Sequence, residues 1–90
     1  MTATETEFQI ALSQTTFSPG RYKFVAVDKG HAGHNLVING PGVDHAQTAS
    51  ILGPGQSESV TVTLRKGTYD IYCAVDSHKN LGMDVHITVS

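Results

Sequence analysis

Apolar and polar residues alternate along most of the chain with a period of two, the mark of strands half-buried against a core. Phe8, Ile10 and Leu12 alternate with polar or small residues, and so do Tyr22, Phe24 and Ala26 after the turn at Ser18-Pro19-Gly20. Val60, Val62 and Leu64 are separated by Thr61 and Thr63, which suit the solvent face of a strand. Tyr69, Ile71 and Cys73 share one face, with Asp70 and Tyr72 on the other, and Val85, Ile87 and Val89 alternate with His86 and Thr88. Two further short strands are expected, over His34–Ile38 and Ala49–Leu52. Asn39-Gly40-Pro41-Gly42, Gly53-Pro54-Gly55 and Arg65-Lys66-Gly67 separate these runs with residues that supply turn geometry. No segment has a helical period. About seven short strands with regular turns predict an all-β protein, an antiparallel β-sandwich formed as a single domain over residues 1–90.

Composition narrows the chemistry. A chain of 90 residues builds only a modest core, and small domains often rely on a disulfide or a metal. There is one cysteine, so no internal disulfide can form, and Cys73 is an inert buried thiol, a reactive one or a ligand. Six Lys and Arg against eight Asp and Glu leave no basic cluster able to neutralise several phosphates, which argues against nucleic acid as a partner. No apolar run is long enough to span a bilayer. Met1–Glu7 is polar and acidic, unlike a secretory signal peptide.

The candidate chemistry lies in the last quarter of the chain. Cys73 and the residues after it form Cys-x4-His-x4-Met, ending at His78 and Met83, between two predicted strands. Upstream, His34 opens a predicted strand after a glycine-containing loop. Two imidazoles, a thiolate and a thioether match the donor set of a blue-copper site, with the thioether weak and axial. A loop joining neighbouring strands brings its start, middle and end around one point, and the fourth donor then comes from elsewhere in the sandwich. Zinc takes thiolate and imidazole as well, but gains nothing from an axial methionine. Taken singly, Cys73 and Met83 would read as core residues.

The segment Gly67-Thr-Tyr-Asp-Ile-Tyr-Cys73 resembles the Gly-x-Tyr-x-Phe-Tyr-Cys strand of plastocyanin-like cupredoxins, the type 1 blue-copper family. His34-Asn35-Leu36-Val37-Ile38 is similar to their His-Asn-apolar strand, and Gly53–Leu64 to the turn and strand before the cysteine hairpin. The ligand loop is longer than in plastocyanin and resembles that of rusticyanin-like members. The resemblance implies a Greek-key sandwich binding one copper through His34, Cys73, His78 and Met83, and a role in carrying single electrons between redox partners rather than catalysis. It further implies that Asn35 ties the ligand segments together; in azurin-like sites a carbonyl approaches the metal opposite the methionine, and Gly33 is the candidate for that place, which the sequence leaves open. Extracytoplasmic placement, periplasmic or secreted, and a monomeric state follow from the same likeness. Ala74 stands where many relatives carry Ser or Thr, so a hydrogen bond near the thiolate is expected to be missing. No counterpart exists of plastocyanin's acidic docking patch.

His34 is preferred to His31 because it begins the apolar run and precedes Asn35. His45 and His86 read as solvated. His78 and Leu81, with the Gly40–Val43 turn expected beside them, are the candidate port for redox partners, and Tyr72 is a second candidate. The competing role is extracytoplasmic copper binding or delivery, which needs a more accessible site.

Overall fold

The computed structural model describes residues 1–90, which form eight strands and one short 3-10 turn. The strands are β1 (Thr2–Thr6), β2 (Gln9–Leu12), β3 (Gly20–Asp28), β4 (Val37–Gly40), β5 (Val43–Gln47), β6 (Ser57–Leu64), β7 (Gly67–Tyr72) and β8 (Asp84–Val89), with the turn at His78–Leu81. Two four-stranded sheets face each other, ordered β2-β1-β3-β6 and β5-β4-β7-β8. The alternating residues meet between them: Phe24, Ile38, Leu64, Tyr69 and Ile71 are all buried. Truncating an aromatic such as Phe24 in a core this small would cost about 3–5 kcal/mol, much of the stability of an ordinary domain. No helix is long and apolar enough to cross a membrane.

Two strands escaped the periodicity. β1 reads Thr-Ala-Thr-Glu-Thr, and its inward positions are Ala3 and Glu5, so half of its buried face is a carboxylate. β5 is an edge strand with a largely exposed face, Val-Asp-His-Ala-Gln. β1 also brings the one parallel ladder, with β3; the other ladders are antiparallel, and a single parallel bridge joins Phe17 to Val89.

Three expectations need correction. His34–Leu36 is not strand: Val37 opens β4, and His34 is held by a single bridge to Leu52, the only paired residue of the expected strand at Ala49–Leu52. The reason lies in the backbone donors, since the Asn35 N–H goes to Cys73 Sγ (3.4 Å) and the Leu36 N–H to Thr48 Oγ1 (3.3 Å) instead of a ladder. Phe8 is outside β2 and more than a third exposed. The Gly40–Val43 turn is at the far end of the sandwich from Leu81. The β4–β7 register pairs Val37 with Tyr72 and Asn39 with Asp70, which carries Pro41 to the Gly67 end. There the Tyr69 hydroxyl donates to the Pro41 carbonyl at 2.5 Å and accepts the Arg65 N–H at 2.8 Å, satisfying a buried phenol.

Candidate metal centre

β7 and β8 are adjacent antiparallel strands, and the ten residues between Tyr72 and Met83 must reverse the chain. The reversal is closed at its base by the Cys73 N–H donating to the Met83 carbonyl (3.1 Å), and at its crown by the Met83 N–H donating to the His78 carbonyl (3.1 Å). Start, middle and end of the loop are therefore held together by main-chain bonds before any side chain acts. Gly82 makes the final bend at φ 126°, and a β-carbon there would lie 2.6 Å from the Phe8 carbonyl oxygen. Only glycine meets both demands.

Three donors converge inside. His34 Nδ1 is 3.2 Å from His78 Nδ1, and Cys73 Sγ is 3.9 Å and 3.6 Å from these nitrogens. His34 and Cys73 are wholly buried, His78 is 7% exposed, and Met83 is wholly buried at the loop's end. One ion with nitrogens at about 2.0–2.1 Å and a thiolate at about 2.3 Å in a plane sets its donors about 3.5–3.8 Å apart, close to the spacing seen.

Hydrogen bonding fixes what these donors present. Glu7 Oε1 lies 3.2 Å from His34 Nε2 and accepts the N–H groups of His31 (2.7 Å) and Ala32 (2.6 Å). The Ala32 N–H is the largest influence holding the Glu7 carboxyl down at about 2, ahead of the opposing effect of burial, so it is ionised and an acceptor. His34 therefore donates from Nε2 and turns the Nδ1 lone pair inward. Burial pushes the Cys73 thiol up, against the N–H groups of Asn35 and Val75, so metal binding must displace its proton. Buried imidazole nitrogens beside a buried sulfur suit a soft or borderline cation.

Asn35 joins the two ligand segments. Its main-chain N–H donates to Cys73 Sγ, and its Oδ1 accepts the Ala74 N–H at 2.7 Å. This tie uses the main chain of Ala74 and needs no hydroxyl there. His31 and His45 are exposed, and His86 stands on the outer face of the sheet. Tyr72 is half-buried with the Lys79 ammonium 4.0 Å above its ring.

Sequence reading missed Glu7 and Phe8, which close this end of the molecule from the β1–β2 turn; the Phe8 ring lies 4.9 Å from that of His78. No motif marks them. The available signal was spacing, since Ala3, Glu5 and Glu7 recur at every second residue, but two carboxylates obscure a buried face.

Across residues 1–90 the chain matches the family model described as copper binding proteins, plastocyanin/azurin family. Dithionite-reduced auracyanin from the photosynthetic bacterium Roseiflexus castenholzii is similar in structure, with a TM-score of 0.79 and 23% identity over 99% of this chain and 94% of that one. An amicyanin mutant in its reduced Cu(I) form at pH 4 aligns with a TM-score of 0.69 and 18% identity over 100% of this chain and 81% of that one. At these identities the two likenesses speak for the fold. No curated protein sequence matches the chain at a significant level.

Proposed function

The chain belongs to the plastocyanin/azurin family of copper-binding proteins, and from that premise we propose that it is a one-electron carrier holding one type 1 copper through His34, Cys73, His78 and Met83. The observation that carries the reading is the buried convergence of His34, Cys73 and His78, with Met83 buried at the end of the same loop. When bound there, copper supplies a Cu(I)/Cu(II) couple. The protein supplies rigidity: His34 is oriented by Glu7 and the Leu52 bridge, Cys73 by Asn35, and His78 and Met83 by the loop's own main-chain bonds. Donors held in this way move little between oxidation states, which lowers the reorganisation needed for electron transfer.

Four protein donors leave no open coordination position, so the proposed role is outer-sphere transfer and not catalysis. The same burial disfavours copper delivery, which requires ready exchange. His78 is the proposed electron port. Phe8 packs on its ring and Leu81, 57% exposed, lies in the same 3-10 turn, so apolar surface surrounds the ligand reached most directly from outside. Such a patch lets a redox protein approach closely with little desolvation cost. Extracytoplasmic placement, a monomeric state and a single domain over residues 1–90 complete the proposal.

The test is Cu(II) loading. An intense visible thiolate-to-copper band with slow copper release supports the carrier; a colourless complex or rapid loss of the ion overturns it. Leu81→Glu then locates the port. It sets like charges face to face when two molecules meet, so self-exchange, read from NMR line broadening in mixed oxidation states, should fall at least tenfold with an unchanged visible spectrum. An unaltered rate moves the port elsewhere, with Tyr72 next.

A further inference from the structure

Beneath the metal end, two carboxyl groups lie in the core. Glu5 on β1 and Asp28 on β3 are partners in the parallel register, and both are 0% exposed. Asp28 Oδ1 accepts the Gly30 N–H at 2.8 Å, but Asp28 Oδ2 and both Glu5 oxygens have no hydrogen-bond partner. No cation compensates them: none of the ion pairs of the molecule involves either residue. Ile10, opposite Glu5 on β2, is apolar, and Lys29 and His31 beyond Asp28 are exposed. Glu7, in the turn just after β1, is engaged by His31, Ala32 and His34. The remaining titratable group that senses both carboxyls is Cys73, on the opposite sheet.

Two buried neighbouring carboxylates cannot both stay ionised without partners, because desolvation and mutual repulsion each favour one proton on the pair. We propose that Glu5 and Asp28 form a buried proton-binding dyad linked to the redox state of the metal centre, holding one proton when the centre is reduced and releasing it when the centre is oxidised. The proposal rests on the copper electron-transfer reading. With one thiolate and neutral imidazoles, the oxidised centre carries one more positive charge than the reduced one. In a low-dielectric core that charge favours the carboxylate form of the dyad. On oxidation one electron leaves to a one-electron acceptor protein and one proton leaves Glu5 for bulk water; on reduction both return. Burial first, and the Asp28 charge second, push Glu5 up to about 8 in the metal-free chain, which puts the exchange within an accessible pH range.

Two measurements separate the parts of the proposal. The first is a carboxyl-carbon NMR titration of the metal-free wild-type protein, which needs neither copper nor a variant. Glu5 titrating several units above an ordinary glutamate supports the dyad, and titration in the ordinary carboxylate range overturns it. The second is voltammetry of the copper-loaded protein against pH. The potential should fall as pH rises through the dyad's titration, by up to one proton per electron, and should lose this dependence in Glu5→Gln. Asp28→Asn offers the same comparison if Glu5→Gln fails to fold. An unchanged slope in the variant overturns the linkage. A protein that takes up no copper removes the carrier reading and the linkage with it, while the NMR titration still decides whether the dyad holds its proton.

Discussion

The two faces of the β5-β4-β7-β8 sheet each carry a cluster of side chains able to bind a metal, and they differ in donor type, burial and charge. Inside are His34, Cys73 and His78; outside are Asp70, Asp84 and His86. β7 serves both, sending Asp70 outward and delivering Cys73, the residue just past its end, inward in the same alternation. The inner donors are buried and face one another, with His34 Nδ1 3.2 Å from His78 Nδ1 and Cys73 Sγ beside both. The outer ones are partly exposed, and their charges are already answered: Lys79 Nζ pairs with Asp70 at 2.9 Å and His86 Nε2 lies 3.6 Å from the same carboxylate. Partial burial first, and the neighbouring Asp70 second, push the Asp84 carboxyl up; against partial burial, Asp84 and Lys79 hold Asp70 down. Convergence of donors is therefore a weak indicator of a metal centre. Convergence of soft and borderline donors that are themselves buried is a strong one.

The sharpest way to break this contrast is Cys73→Ser, which removes the soft donor and should abolish the visible charge-transfer band of the copper-loaded protein. A variant that stayed intensely blue would exclude Cys73 from the site. Next, His34→Ala should lose or distort that band, while His31→Ala should leave it intact, because the His31 side chain is exposed and contributes its main-chain N–H to Glu7. The reverse pattern would overturn the ligand assignment. Met83→Leu nearly conserves volume, so its structural cost should stay below about 1.5 kcal/mol. Loss of a donor that stabilises the oxidised form should raise the reduction potential, and unchanged voltammetry would make Met83 a core residue only. The smallest effect is expected on the outer face. Asp70→Asn dissolves a partly exposed ion pair, so denaturant unfolding should register a change within about 1 kcal/mol and the visible band should not move. A large spectral change would show that the outer cluster holds the ion.

Much of this molecule was legible because its key residues obey local rules. The strands bearing Tyr22, Val60, Tyr69 and Ile87 alternate cleanly, and the Cys73–His78–Met83 donors share one loop, so spacing alone brings them near each other. The elements that resisted reading are those whose partners are remote in sequence. β1 hides its buried face behind Glu5, and that position makes sense only beside Asp28, twenty-three residues later. Glu7 shows nothing of its role until the fold sets it against His34 and the N–H groups of His31 and Ala32. The Gly40–Val43 turn was misplaced because its end of the sandwich depends on the β4–β7 register, a non-local quantity.

The amino-acid sequence by itself determined the all-β architecture and the three loop donors Cys73, His78 and Met83, because period-two patterning and donors within a single loop are local properties of the chain; His34 joins them only through the fold. Tertiary structure alone decided how tightly each carboxyl holds its proton. Glu5 and Glu7 are the same residue two positions apart, one in β1 and one in the turn after it, yet burial without partners pushes the first up to about 8 and donated N–H groups hold the second at about 2. That difference arises from the desolvation and the hydrogen bonds each carboxyl meets, and both are set by segments that arrive from elsewhere in the fold.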